Sequence, residues 1–163
     1  MRNGLKWVAA FAAAVIIEGT GAGSVQASGA EWEEWTGSNG VQYAGYRKDG
    51  VIHGMGEAVY ADQSKYTGTF TDGRREGTGE CEWPSGDRFQ GEYSQGKRNG
   101  LGIYISTADA DDYGQQSGMG TRYEGEYVND RRDGLGYYRW ADGTYYIGEW
   151  TDGEWNGLGI VFY

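Results

Sequence analysis

The feature that most constrains this chain is a unit of about 23 residues in which glycine and aromatic residues recur at fixed positions. Residues 66–88, YTGTFTDGRREGTGECEWPSGDR, show the unit in full. On both sides of Asp72-Gly73, apolar or small residues alternate with polar ones, which is typical of β-strands. An Asp-Gly pair tolerates the positive φ of a tight hairpin turn. The unit is therefore predicted to be one β-hairpin, closed by Pro84-Ser85-Gly86.

The unit occurs five times, with starts at Tyr43, Tyr66, Phe89, Tyr123 and Tyr146. The third unit carries an insertion, predicted within residues 106–122, because the next unit starts 34 residues later. Residues 28–42 are predicted to be an N-terminal cap or linker, in which Glu31 to Gln42 form half a unit. The repeated glycines are Gly45, Gly54, Gly56, Gly68, Gly77, Gly79, Gly91, Gly100, Gly102, Gly125, Gly134, Gly136, Gly148, Gly157 and Gly159. The structural aromatic residues are Tyr43, Tyr66, Phe70, Phe89, Tyr93, Tyr123, Tyr127, Tyr146 and Trp150.

The hairpin turn predicts which residues face each other. With the turn at Asp72-Gly73, Gly68 is expected opposite Gly77, and Tyr66 opposite Gly79. An aromatic ring beside a glycine can lie flat across the neighbouring backbone. Because glycine otherwise weakens a strand, its repeated use predicts that each glycine makes room for a ring.

The segments YEGEYVNDRRDGLGYYRWADGTY (residues 123–145) and YIGEWTDGEWNGLGIVFY (residues 146–163) resemble MORN repeats, the membrane occupation and recognition nexus motif. The resemblance covers residues 43–163 and implies an all-β fold, an elongated, twisted antiparallel meander of consecutive hairpins. It implies no single function, because the family includes lipid-associated, scaffold and enzyme-appended members.

The first 27 residues are predicted to be a signal peptide rather than part of the fold. Arg2 and Lys6 precede an apolar run, residues 8–17, and Val25-Gln26-Ala27 places small residues where signal peptidase requires them. We expect cleavage after Ala27 and export to the cell envelope, the periplasm or the medium. An uncleaved signal anchor is the alternative.

The charge of the chain disfavours two classes of partner. The formal net charge is −10, whereas nucleic acids and anionic bilayers bind basic surfaces. Three basic pairs recur after the hairpin turns, and acidic neighbours favour reading them as solvated turn charges. They are Arg74-Arg75, Lys97-Arg98 and Arg131-Arg132.

No residue pattern indicates a catalytic, cofactor or metal site, so the chain is not expected to be an enzyme. His53 is the only histidine and no nucleophile accompanies it. Cys81 is the only cysteine, predicted to be a small buried filler, with an intermolecular disulfide as the alternative. Asp109-Ala110-Asp111 resembles the start of an EF-hand loop, but Gly120 stands where the bidentate glutamate is required.

The predicted function is that of an interaction or scaffold protein, acting on a protein partner or on a second copy. Residues 157–163 lack charge and proline, so the last strand is expected to be an open edge suited to strand addition. The alternative is that Glu31 to Gly37 or the 106–122 loop covers this edge. An apolar row on the face opposite the glycines is expected to contain Leu101, Ile103, Ile105, Leu135, Tyr137, Leu158, Ile160 and Phe162. The candidate partner surface is Leu135, Tyr137, Leu158, Ile160, Val161 and Phe162.

Two other functions remain open. An extracellular glycan-binding module would use exposed aromatic side chains, whose apolar faces suit sugars; the candidates are Trp35, Trp83, Trp140, Trp150 and Trp155. Rings buried over glycines would favour the scaffold, and rings exposed along a groove would favour the sugar. Association with membrane lipid is the third possibility.

Overall fold

A computed structural model describes residues 31–107 and 120–163, and all of its regular structure is β-strand. The strands form one antiparallel sheet in which each strand pairs with its neighbours in sequence, so the predicted all-β meander of hairpin repeats is confirmed. The eleven strands are β1 Glu31–Thr36, β2 Gln42–Lys48, β3 Val51–Val59, β4 Lys65–Thr71, β5 Arg74–Glu82, β6 Arg88–Ser94, β7 Lys97–Ile105, β8 Arg122–Val128, β9 Arg131–Arg139, β10 Tyr145–Thr151 and β11 Glu154–Phe162.

Each hairpin contains a β-bulge, and the bulge makes the predicted register wrong. Thr71 faces Arg74 as expected, but Gly68 faces Gly79 and Tyr66 faces Cys81. The register shifts between Gly68 and Phe70, because the returning strand contains extra residues at this point. Counting outward from the turn therefore fails beyond the bulge.

The repeated glycines serve two different purposes. Gly77 has a φ of 70° and lies at the bulge, a conformation that favours glycine. Its equivalents in the other hairpins, Gly54, Gly100, Gly134 and Gly157, also have positive φ. The second class forms a continuous ladder across β2 to β11, each glycine facing the next: Gly45, Gly56, Gly68, Gly79, Gly91, Gly102, Gly125, Gly136, Gly148 and Gly159.

The core of the molecule lies on the face of the sheet that carries the glycine ladder, which we call the ring face. Side chains at alternate positions of each strand pack there, and the structural aromatic residues predicted from sequence are all among the buried ones. The opposite side is called the outer face. Its strands carry threonine, charged and exposed apolar residues.

Two predicted segments lie outside the described residues: the signal peptide, residues 1–27, and most of the insertion, whose undescribed part is residues 108–119. β1 lies where half a unit was expected and pairs with β2. In the described part of the chain, no helix has the length and apolar character needed to cross a membrane.

Candidate functional site

The tyrosine that opens a hairpin lies over the glycine ladder and closes the bulge. A Cβ built on Gly79 would come within 2.5 Å of ring atoms of Tyr66, so glycine is required there for the ring. The Tyr66 hydroxyl donates a hydrogen bond to the Thr69 carbonyl at 3.1 Å. Burial raises the pKa of the Tyr66 hydroxyl, although Arg75 opposes the shift, and the group therefore stays a donor. Equivalent bonds are donated by Tyr43, Tyr123 and Tyr146 at 2.8–3.0 Å.

The aromatic rings contact one another from repeat to repeat. Tyr66 meets Phe70 and Tyr93 edge to face, with ring centroids 5.1 Å apart in both pairs. Phe89 contacts Tyr127, and Tyr123 contacts Trp150, in the same geometry. Such pairs contribute about 0.5–1.5 kcal/mol each beyond the area that they bury. The buried rings therefore link successive hairpins and are not available as a ligand surface.

The second residue of each basic pair is an arginine that is not a solvated turn charge, so that interpretation of the sequence was wrong for this position. The Arg75 guanidinium lies 4.8 Å from the centroid of Tyr93 and also donates to the Gly96 carbonyl. Arg98 lies 5.2 Å from Tyr127 and donates to the carbonyl of Asp130. These arginines cover ring faces and tie each hairpin to the turn of the next. The first residues of the pairs, Arg74, Lys97 and Arg131, are exposed.

Arg132 departs from this pattern. Its guanidinium lies 4.5 Å from the Trp150 ring and contacts Tyr138 and Tyr123. Within residues 31–107 and 120–163, however, its side chain has neither a carbonyl nor a carboxylate partner. Its five N–H donors are therefore free for a ligand or for water.

Glutamates on the outer face close the bulges of the last three hairpins. Glu126 Oε1 accepts a hydrogen bond from the Leu135 amide at 3.0 Å. Glu92 and Glu149 make the equivalent bonds at 2.9 and 3.1 Å. Three glutamates of the outer face, Glu92, Glu126 and Glu149, thus accept from backbone amides at irregular positions, a role that the sequence did not indicate.

The apolar row predicted on the outer face is interrupted. Glu126 lies opposite Leu101 and Glu124 opposite Ile103, so charged β8 separates the apolar side chains of β7 from those of β9. Beyond β8 an unbroken apolar row runs through Tyr137, Ile147 and Ile160, although Glu149 lies opposite Leu135 beside it. Two residues of this surface were missed: Tyr145 and Ile147, which face Phe162 and Ile160. In the sequence, Tyr145 and Ile147 flank Tyr146, and this alternation places them on the face opposite the buried tyrosine. We call this surface the apolar patch: Leu135, Tyr137, Tyr145, Ile147, Leu158, Ile160 and Phe162.

Val161, which sequence analysis grouped with this surface, lies on the ring face instead. It faces Tyr146 and packs against the core. The period of two in β11 separates it from Ile160 and Phe162. The side chains of β11 therefore divide between the two faces of the sheet, and only those on the outer face belong to the apolar patch.

The patch is exposed. Leu158 is 82% exposed and Ile160 62%, whereas Phe162 stacks on Tyr145 with a centroid distance of 4.6 Å. Among the described residues, β11 pairs with β10 alone. Glu31 to Gly37 does not cover this edge, because β1 lies at the other end of the sheet. Most of the 106–122 loop lies outside the described residues, so that half of the alternative is untested.

The five tryptophan candidates for glycan binding do not form one surface. Trp150 is buried, Trp83 packs against Tyr104, and Trp35 lies with β1 at the opposite end of the sheet. Trp140 and Trp155 lie 5.5 Å apart, and both line an open groove of about 810 Å³ on the ring face. Of the five tryptophans, Trp140 and Trp155 are therefore the two that lie together beside a groove.

The root of the insertion is held by Asp87. Its carboxylate accepts hydrogen bonds from the Tyr104 hydroxyl at 2.9 Å and from the Thr107 amide at 2.8 Å. Partial burial acts to raise the pKa of Asp87, but the hydrogen bonds from Thr107, Tyr104 and Ser106 outweigh it and lower that pKa. The carboxylate is thereby fixed as an ionised acceptor where β7 leaves the sheet.

His53 and Cys81 were singled out in the sequence as the only histidine and the only cysteine. His53 Nδ1 lies 3.8 Å from the Asp72 carboxylate beside a hairpin turn. Cys81 is 1% exposed, and burial raises the pKa of its thiol. This burial argues against the intermolecular disulfide. In the part of the chain that the structure describes, no group of three or more His, Cys, Asp or Glu side chains could hold a metal ion.

Comparison with known families identifies the repeated unit. The family model described as MORN repeat matches residues 43–65, 66–88, 89–107, 123–145 and 146–162, together more than half of the chain. Each match begins at one of the five aromatic residues that open a hairpin. A search of curated proteins found no significant match to the chain.

Proposed function

Because the chain belongs to the MORN-repeat family, whose repeats generally act in protein or membrane interactions, we propose that it is a non-catalytic scaffold that associates with a second copy of itself. The contact is formed by the apolar patch and by the outer edge of β11. One observation carries this proposal: the patch lies on the outer face of the last three strands, next to an edge that no described strand covers.

Strand addition about a two-fold axis suits β11. Antiparallel pairing centred on Ile160 would place Leu158 of each copy opposite Phe162 of the other. On the ring face, the same register would place Gly159 opposite Val161, whereas Gly157 lies at the bulge. Each aromatic or branched side chain would then meet a glycine or an apolar partner, which is a favourable cross-strand arrangement. The patches of the two copies would merge into one apolar surface.

The charges of the chain favour this end of the sheet over others. A net charge of −10 makes two copies repel each other at long range, but that repulsion is screened beyond about 8 Å at physiological salt. Residues 157–163 carry no charged side chain, so no like charges would be brought together in the pairing itself. In contrast, β1 carries Glu31, Glu33 and Glu34, which would oppose self-pairing at the other edge.

Sedimentation equilibrium of the chain and of two lysine variants tests the proposal. Ile160→Lys places a charge in the patch and should shift the equilibrium to monomer, weakening association at least tenfold. Met55→Lys is the control, because Met55 is an exposed residue of the outer face in the first hairpin. Self-association should also strengthen as salt is raised from low concentration to 0.15 M. A parent chain that stays monomeric at millimolar concentration contradicts the proposal, and so does equal weakening by the two substitutions.

The proposal includes export, which rests on the sequence of residues 1–27. Intact-mass measurement of the protein from its native host should give a chain that begins at Ser28. Recovery of a chain that retains residues 1–27 in the membrane fraction would contradict export and favour an anchored scaffold.

A further inference from the structure

The groove beside Trp140 and Trp155 combines exposed aromatic faces with polar groups that have spare hydrogen-bonding capacity. Trp155 is 52% exposed, and its ring centroid lies 5.1 Å from that of Tyr146 beneath it. In the other hairpins its position is held by Ile52 or by an arginine. The last hairpin therefore presents a tryptophan to solvent where the three hairpins before it cover the rings with an arginine.

Three polar groups of the groove lack partners among the described residues. The Arg132 guanidinium has no hydrogen-bond acceptor. Asp142 uses Oδ1 to accept from Thr144, and its Oδ2 is unpaired. The indole N–H of Trp150, a residue only 6% exposed at the base of the groove, also has no acceptor. Donors and acceptors are thus both available around the aromatic faces.

The charges of the groove restrict the class of ligand. A cation is disfavoured because Arg132 already lies on the faces of Trp150 and Tyr138. An anion is disfavoured by the carboxylate of Asp142 and by the net charge of −10. A wholly apolar ligand would bury these charged groups without partners, at a large cost. A neutral molecule with hydroxyl groups and apolar C–H faces satisfies both parts of the groove.

We propose that this groove binds a neutral saccharide. A pyranose ring packs its C–H face on Trp155 and Trp140. Its hydroxyl groups donate to the carboxylate of Asp142 and accept from Arg132. Sites of this kind, concave, largely aromatic and with a few oriented polar groups, are typical of small-ligand binding. The groove lies on the ring face, whereas the apolar patch lies on the outer face, so the proposal is independent of self-association.

Isothermal titration of the whole chain with cellohexaose and with chitohexaose tests the site, together with tryptophan fluorescence. At least one of these neutral oligosaccharides should bind, and Trp155→Ala should weaken that binding at least tenfold. Trp155→Phe keeps a ring over Tyr146 and should give an intermediate affinity. Trp32→Ala removes a tryptophan of similar exposure at the far end of the sheet and should change nothing. Ile160→Lys should also leave binding intact.

The melting curve of each variant shows whether it is folded. If Trp155→Ala does not fold, Trp155→Phe and Asp142→Asn decide: both should weaken binding, and unchanged binding in both overturns the proposal. Absence of binding by the parent chain at millimolar oligosaccharide overturns the proposal. Equal loss in Trp32→Ala also overturns it, as does preferential binding of an oligouronate over the neutral sugars.

Discussion

At the scale of single residues, the fold depends on one exchange: an aromatic ring occupies the space that side chains would take at two facing glycines. Tyr66 lies against both Gly68 and Gly79, and its hydroxyl donates to the Thr69 carbonyl beside the bulge. The ring thus buries apolar surface and satisfies a polar backbone group in one side chain. Substitution of either the aromatic residue or a glycine beneath it should therefore lower the free energy of unfolding.

The glycine side can be tested with Gly79→Val. Valine has the better strand propensity, but its Cβ would overlap the ring of Tyr66. We expect a loss of roughly 1–3 kcal/mol in the free energy of unfolding, the usual cost of overpacking. Thr78→Val, one residue away on the outer face, is the control and should be nearly neutral. Equal melting temperatures for Gly79→Val and the parent would show that the ring of Tyr66 does not require glycine at position 79.

The third hairpin tests the hydroxyl, since Phe89 replaces the tyrosine there while the bulge between Gly91 and Tyr93 is retained. Phe89→Tyr should add the missing hydrogen bond to the Glu92 carbonyl and stabilise the chain by about 0.5–1.5 kcal/mol. Tyr123→Phe removes the equivalent bond, which is 2.9 Å long, and should destabilise by a similar amount. Denaturant titrations of both variants measure the difference. Shifts in the same direction would contradict the assignment.

At the scale of the hairpin, the hairpin units and their boundaries were predictable, but the bulge was not. Alternation, Asp-Gly turns and the fixed spacing of Gly68 and Gly79 were enough to locate the strands. Gly77 and Gly79 are the same residue type, yet Gly77 is needed for its positive φ, whereas Gly79 makes room for the ring of Tyr66. Residue type alone does not distinguish these roles, so the register beyond the bulge could not be counted from the turn.

The glutamate beside the bulge should also contribute to the stability of its hairpin. Glu126→Ala removes the acceptor of the Leu135 amide and should cost about 0.5–1.5 kcal/mol. Glu126→Gln keeps a side-chain carbonyl acceptor and should retain most of the stability. Glu80→Ala, which removes an outer-face glutamate without such a bond, controls for the change in net charge. Thermal melts compare the three. If Glu126→Gln is as damaging as Glu126→Ala, charge rather than hydrogen bonding is responsible.

Asp87 gives the loop root a dependence on pH. Its pKa is lowered from the ordinary 3.8, so its contribution to stability is present above that value and is lost as pH falls through the lower, folded-state pKa. Asp87→Asn should therefore be less stable than the parent at pH 7, and the difference should shrink as the solution is acidified below about pH 4. Chemical denaturation at several pH values measures this. A constant difference across the range would contradict it.

At the scale of the whole molecule, the two faces of the sheet carry different tasks. Sequence alternation placed the aromatic residues on one face and an apolar row on the other. It did not show that β8 divides the row, because that depends on which residues of neighbouring strands face each other. Nor could it show that Arg75 and Arg98 cover rings, since their partners come from different strands. The groove beside Trp155 likewise appears only when β9 and β11 flank β10.

Hydrogen exchange of the two sheet edges, at low and at high protein concentration, tests the central claim most directly. If copies associate through β11, peptides covering residues 154–163 should exchange more slowly at high concentration, because the outer amides of β11 gain partners. Peptides covering residues 31–36, the edge at the other end, should not change. Slower exchange at residues 31–36 alone, or at neither edge in a sample that does associate, would contradict the account.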